Sequence, residues 1–223
     1  MMFKKILLAE DIDSINVAVI QILEELGVAV VDHAKYCDDA LLKIKKAHLD
    51  NAPYDLLISD LSFEDDYRTV TIKSGDELVK KAKQIQPNLK VIVYSIEDKS
   101  YRIKSLFENL KINAFVHKGR KSIEQLKIAI DTILNTDAPY ISPEIAFALK
   151  DKTVHEIDDY DVQLIKQLSF GIPQDHMDTK FMELGITPNS KSTIEKRISR
   201  LKDFFKAQNT VHLIAIAKDM GII

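Results

Sequence analysis

Polar side chains that could do chemistry together stand at the ends of short apolar runs. In KILLAEDID the run closes on Glu10 and Asp11, and in DLLISDLS it closes on Asp60. VIVYS ends on Ser95, and AFVHK ends on Lys118. Carboxylates brought close raise one another's pKa unless a cation neutralises them. Mg2+ suits such a set, because it takes hard oxygen ligands from few carboxylates and keeps several waters. A metal, a lysine and a hydroxyl around one carboxylate are what a transferring phosphoryl group needs, since its oxygens must be neutralised while an in-line nucleophile attacks. Asp60 is the natural nucleophile, because carboxylates form acyl phosphates.

That chemistry requires elements that bring the run ends together. KILLA (5–9), VAVV (28–31), DLLIS (55–59), VIVYS (91–95) and AFVHK (114–118) read as strands. Between and after them, residues 14–26, 38–49, 75–85, 100–110 and 122–134 carry apolar side chains at helical spacing. The alternation predicts an α/β domain with a doubly wound, five-stranded parallel sheet and right-handed crossovers. Loops at the carboxyl ends of such strands form the ligand crevice. In the order 2-1-3-4-5 the first and third strands are neighbours, about 5 Å apart, so Glu10, Asp11 and Asp60 converge.

Beyond about residue 135, NTDAPYISPEIAFALKDKTVHEIDD reads as a linker with one short helix. From Ile157 the strand signal vanishes and four helical stretches follow: DDYDVQLIKQLSFG, PQDHMDTKFMEL, SKSTIEKRISRLKDFFKAQ and TVHLIAIAKDMG. Gly171 and Gly185 sit where helices should stop. The expected organisation is an α/β domain over 1–135, a linker over 136–155 and an all-α four-helix domain over 156–223.

Composition narrows the classes. A chain of 223 residues holds one large domain or two ordinary ones. Cys37 is the only cysteine, which excludes an intrachain disulfide and a cysteine-based metal cage and fits a reducing cytosol. The opening apolar run is too short for a signal peptide, and no stretch reaches the ~20 apolar residues of a membrane span, so a cytoplasmic location is expected. Residues 150–223 carry 11 basic and 11 acidic side chains, leaving 20 against 23 in 1–149. Neither half is a basic polyelectrolyte.

ILLAEDID, DLLISDLS, VIVYS and FVHKG, in that order and each at a strand end, resemble the receiver domain of two-component response regulators over roughly 1–135. The resemblance implies that Asp60 accepts a phosphoryl group from a sensor histidine kinase. It implies Mg2+ held by Glu10, Asp11, Asp60 and the backbone carbonyl of Ser62, with Ser95 and Lys118 on the phosphoryl oxygens. Phe115 reads as core in its own right, and by resemblance as the aromatic that rotates inward on activation. Glu64 stands where the family usually has proline, and SFEDDYRTVTIKS makes a long loop carrying Glu64, Asp65 and Asp66 before Gly75.

The second half resembles the helix-turn-helix output domain of NarL/FixJ (LuxR-type) regulators over about 157–223, and YISPE resembles the segment where those regulators leave the receiver. On a helical wheel Ile194, Ile198, Leu201 and Phe205 share one side. Lys196, Ser199 and Arg200 project from the opposite side, with Thr193 near the helix start. Residues 190–206 hold six Lys and Arg, at 191, 196, 197, 200, 202 and 206, against two acids. A recognition helix with Lys191, Thr193, Lys196, Arg197, Ser199 and Arg200 toward double-stranded DNA is expected.

The reading is therefore a DNA-binding transcription regulator, a homodimer on paired half-sites, switched by phosphorylation at Asp60. It is not an enzyme beyond self-dephosphorylation. Two alternatives stand beside it. One is a receiver whose helical output binds protein, in keeping with the balanced charge of 150–223. The other is a Toprim-type Mg2+-dependent nucleic-acid enzyme, which needs a second acid where this chain has Ser62. No Gly-rich phosphate loop, zinc spacing or Ser/His/Asp arrangement is evident.

Overall fold

Strand β1 (Lys5–Ala9) has four consecutive residues with no solvent exposure, and burial on both sides of one strand demands helices on both faces of its sheet. The computed structural model, which describes residues 3–64, 70–136, 138–148 and 157–223, supplies them. Asp65 and Asp66 of the acidic loop, and 137 and 149–156 of the expected linker, lie outside the described residues. A first compact unit runs from 1 to 147 apart from 99–102, and a second is built on 148–223.

In the first unit β1 pairs in parallel with β2 (Val30–Ala34) on one side and β3 (Leu56–Ser59) on the other. β4 (Lys90–Ser95), β5 (Ala114–His117) and β6 (Tyr140–Ile141) follow, giving the order β2-β1-β3-β4-β5-β6. Helices α1 (Asp13–Glu25) and α5 (Ser122–Asn135) cover one face. Val19 and Leu23 of α1, with Leu126, Ala129, Ile130 and Ile133 of α5, pack there against Ile6, Leu8, Leu56, Ile58, Ile92 and Val116. α2 (Cys37–Leu49), α3 (Gly75–Ile85) and α4 (Ser100–Leu110) make the remaining crossovers, with α2 against β1 and α3.

The sheet has six strands, not the expected five. Tyr140 N–H donates to the Asn113 carbonyl at 3.1 Å and Ser142 N–H to that of Phe115 at 3.0 Å, so the free edge of β5 is satisfied by a segment read as linker. A strand of two residues is too short to register a period, and the prolines on either side hid it. A short helix, α6 (Pro143–Ala148), follows it. β2 starts two residues later than the apolar run, because Gly27 and Val28 close α1: their N–H groups return to Glu24 and Leu23. Val30 opens the ladder by donating to the Lys4 carbonyl at 3.0 Å.

Among the described residues the second unit contains α7 (Asp159–Ser169), a 3-10 turn (Gln174–His176), α8 (Met177–Glu183), α9 (Lys191–Phe204) and α10 (Thr210–Asp219). The expected second helix thus opens as a 3-10 turn. Leu164, Met177, Phe181, Leu213 and the expected α9 stripe of Ile194, Ile198, Leu201 and Phe205 form its core. α7 begins with reciprocal capping: Asp161 N–H donates to Asp158 Oδ1 at 2.9 Å, and Asp158 N–H donates to Asp161 Oδ2 at 3.4 Å. The helix stops are as expected. Gly171 has φ 83° and Gly185 φ 67°, and each is followed by an N–H returning to the last turn (Ile172 to Gln167, Ile186 to Phe181).

Phe181 is fully buried and meets the Tyr160 ring edge-on at 5.2 Å. Phe181→Ala is expected to cost about 3–5 kcal/mol in urea unfolding of this unit. A loss below about 1 kcal/mol contradicts this core assignment.

Candidate functional site

Side chains alternate across a strand, so each strand's inward row can be followed past its last ladder residue. Ile6 and Leu8 lead to Glu10, Leu56 and Ile58 lead to Asp60, and Ala114 and Val116 lead to Lys118. All three rows face the α1/α5 layer. β1 and β3 are adjacent in register, Ala9 beside Ser59, so the residues that follow are neighbours across the sheet. Asp60 N–H still donates to the Ala9 carbonyl at 3.0 Å, which extends the ladder to the site itself.

The result is a nearly buried charge cluster. Lys118 Nζ lies 2.6 Å from Glu10 Oε2 and 2.6 Å from Asp60 Oδ2. The side chains of Lys118, Glu10 and Asp60 are only 8, 1 and 7 % exposed. The Asp60 contact has hydrogen-bond geometry, whereas Glu10 Oε2 meets the ammonium as an ion pair outside good hydrogen-bond angles. Asp60 Oδ1 accepts from Leu61 N–H at 2.6 Å, and Asp11 Oδ2 accepts from Glu64 N–H at 2.8 Å. Oxygens of Glu10, Asp11 and Asp60 lie within 4.8 Å of one another. With three carboxylates charged, one ammonium leaves the cluster two charges negative, which suits a divalent cation held by hard oxygens.

Burial pushes the Glu10 carboxyl above its usual 4.5, with Asp60 adding to the rise while Lys118 and the Ile12 N–H oppose it. For Lys118 burial acts downward, but the hydrogen bond to Asp60 and the charges of Asp60 and Glu10 outweigh it and hold the ammonium above its usual range. The site is therefore an ammonium held between two carboxylates, with burial shifting the Glu10 carboxyl upward.

The remaining expected residues divide. Ser95 ends β4, and its buried hydroxyl has no hydrogen-bond partner among the described residues. Lys118 N–H donates to the Ser95 carbonyl at 2.8 Å, tying the ends of β4 and β5. Phe115 is wholly buried in β5, beside Val93 and Ile141. Ser62 lies exposed in the loop that follows Asp60.

Sequence reasoning missed several supports. The Glu10 carbonyl accepts from Asn16 Nδ2 at 3.0 Å and contacts His33 Nε2 at 2.9 Å, so α1 and β2 both fix the acidic turn. An asparagine on the inward face of α1 was the available signal. Gly75 is required because a Cβ there would lie 1.7 Å from the Asp60 carbonyl oxygen, and its N–H donates to Leu61 at 3.0 Å. Tyr94, read only as a strand residue, has its ring centroid 5.4 Å from Lys118 Nζ.

In the second unit α9 exposes Lys191, Lys196, Ser199 and Arg200. Thr193 belongs to the helix cap, with Oγ1 2.8 Å from Ser190 Oγ. Arg197 is placed differently from the expected face. Its guanidinium is bound by Asp158 at 2.8 Å and Asp161 at 3.2 Å, over the Tyr160 ring. Arg200 also reaches Asp161, at 2.6 Å. Asp161 is completely buried, so two arginines of α9 are fastened to the capping box of α7. Two arginine partners are what make a buried carboxylate tolerable there.

No protein-family model matches the sequence, and no curated protein matches it. Solved structures do match. A structure of two RcsB dimers bound to two parallel DNAs is similar over 98 % of each chain, at a TM-score of 0.64 and 17 % identity. RcsB from Salmonella enterica serovar Typhimurium, bound to promoter rprA in the presence of phosphomimetic BeF3-, matches over 95 % of this chain and 96 % of that one, at a TM-score of 0.61 and 19 % identity. The isolated REC domain of RcsB from the same organism, also with BeF3-, covers 67 % of this chain and 100 % of its own, at a TM-score of 0.54 and 19 % identity. The likeness establishes the fold: a doubly wound parallel α/β unit of receiver type, followed by an all-α four-helix unit.

Acidification through the raised Glu10 pKa puts a proton where a cation would be held, so Mg2+ affinity should fall from a pH above 4.5. Calorimetric Mg2+ titrations from about pH 8 down to about pH 4 check this. An affinity constant across that window contradicts it.

Proposed function

We propose that this chain is a response regulator that takes a phosphoryl group on Asp60 from a sensor histidine kinase and acts as a DNA-binding transcription regulator. One observation carries the reading: Lys118 Nζ stands 2.6 Å from both Glu10 and Asp60, and oxygens of Glu10, Asp11 and Asp60 lie within 4.8 Å of one another. An ammonium held protonated between two carboxylates is a poor general base. A site that must gather a phosphoryl group's oxygens around one carboxylate has a use for it.

Glu10, Asp11, Asp60 and the Ser62 carbonyl would hold Mg2+, which when bound neutralises phosphoryl oxygens. An Asp60 oxygen forms the new O–P bond as the N–P bond of a phosphohistidine breaks, the imidazole leaving with the bonding pair. Lys118 shifts its hydrogen bond from Asp60 Oδ2 to a phosphoryl oxygen, and Ser95 donates to another. The charge on Asp60 rises from one negative charge to up to about two. Rearrangement around Ser95 and Phe115 biases the receiver surface, shifting populations toward the DNA-binding state. The chain catalyses nothing beyond loss of its own phosphoryl group.

We assign the receiver to 1–135 with its β6 edge supplied by the following segment, the linker to 136–155, and the helix-turn-helix domain to 156–223. α9 is the recognition helix. Lys191, Thr193, Lys196, Ser199 and Arg200 contact DNA, and Arg197 acts from its place beside Asp158 and Asp161. A homodimer on paired half-sites, in the cytoplasm, is the working form. The neighbouring RcsB dimers bind DNA, which supports this assignment. The zero net charge of 150–223 favours a protein-binding output as the second reading.

Acetyl phosphate with Mg2+ should label the wild type, and Asp60→Ala should lose the label. Retained labelling rejects Asp60 as acceptor. On a site selected from random DNA, Lys196→Ala should flatten the plot of log K against log[salt] by about 0.9 for a lost phosphate contact. Unchanged affinity and slope for both Lys196→Ala and Arg200→Ala favour the protein-binding output.

A further inference from the structure

Lys118 must cross a strand to reach its partners. It follows β5, whereas Asp60 follows β3 and Glu10 follows β1, and β4 lies between β5 and β3. Neighbouring strands are about 4.8 Å apart, so the lysine stem passes over β4 before its ammonium meets Asp60. The β4 residue on that face is Tyr94, one of the α1/α5-side core residues with Ile92 and Val116. Continuing the register from Ser59 beside Val93 brings Tyr94 level with Asp60.

The tyrosine is held firmly. It is 3 % exposed, and its hydroxyl lies 2.8 Å from Ser122 Oγ in the first turn of α5. Its ring centroid is 5.4 Å from Lys118 Nζ, within the range where an ammonium is attracted by an aromatic face. The attraction is largest where the cation is desolvated, and this side chain is only 8 % exposed.

We infer that Tyr94 is a positioning residue for phosphoryl capture: its ring supports the Lys118 ammonium while that ammonium changes partners from Asp60 to the phosphoryl oxygens. The inference rests on the phosphoryl-acceptor reading of the site. When Asp60 becomes an acyl phosphate the ammonium gives up its hydrogen bond to Asp60 Oδ2 and keeps Glu10 only as an ion pair outside good hydrogen-bond angles. A neutral ring keeps its attraction whatever the charge on Asp60, so the lysine stays aimed. The ring supplies the support, and the hydroxyl locks the ring to Ser122.

The test compares the full-length wild type with Tyr94→Phe, which keeps the ring, and Tyr94→Leu, which keeps apolar bulk without it. Beryllofluoride affinity in the presence of Mg2+, the rate of labelling by acetyl phosphate, Mg2+ affinity alone and thermal midpoint are measured for each. Tyr94→Leu should weaken beryllofluoride binding and slow labelling about tenfold, with Mg2+ affinity unchanged. Tyr94→Phe should restore both to within about twofold of wild type. Equal losses in Phe and Leu, or losses in Leu matched by a fall in Mg2+ affinity, show a structural role and overturn the inference. So does a Leu variant that behaves as wild type. A wild type that takes neither beryllofluoride nor acetyl phosphate instead overturns the acceptor reading, and this inference with it.

Discussion

The ammonium of Lys118, shared at 2.6 Å between Glu10 and Asp60, is the constraint on which the first unit turns. Two carboxylates side by side and almost without solvent repel each other, and each has lost most of its hydration. The lysine makes the pair tolerable, and removing it would leave uncompensated buried charge at a cost of about 3–5 kcal/mol. The arrangement is useful because it is incomplete. Asp11 stands beside the pair with no ammonium of its own among the described residues, so the cluster carries the excess negative charge that the proposed function would use to hold a divalent cation.

Much of the architecture follows from keeping that contact. β1 and β3 must be adjacent for Glu10 and Asp60 to meet, and the doubly wound order puts them so. All three site residues must fall on the same strand parity, which makes a one-residue slip in any register destructive. Gly75 then lets α3 start against the Asp60 carbonyl, where a methyl group would collide. Asn16 and His33 hold the Glu10 carbonyl from two further elements. The second unit uses the same physics differently. Asp161, wholly buried at the start of α7, fastens Arg197 and Arg200 of α9, so a buried charge sets the placement of one helix on another.

The strands that carry Glu10, Asp60, Ser95 and Lys118 were legible because they are buried on both faces and read as continuous apolar runs. The helices between them were legible from their period, and α3, α4 and α5 begin at the residues that the spacing gives. Two features were hidden. β6 has two residues and no period, and only its pairing with β5 defines it. The apolar run at 28–31 looked like a strand, yet its first residue serves to close α1. For the site, residue types at strand ends gave the members, but not the supports. Tyr94 looks like any aromatic in a strand until strand order shows that Lys118 must pass it. Arg197 sits in a basic stretch and was counted with the exposed cations, because Asp158 and Asp161 lie far away along the chain.

What the site does is decided by whether Asp60 itself becomes an acyl phosphate. The full-length chain, incubated with acetyl phosphate and Mg2+, can be reduced with borohydride, which converts an aspartyl phosphate to homoserine, and the product mapped by peptide mass spectrometry. The account predicts homoserine at position 60, dependent on Mg2+ and on Lys118. Aspartate unchanged at 60, or conversion at Glu10 or Asp11 instead, would contradict it.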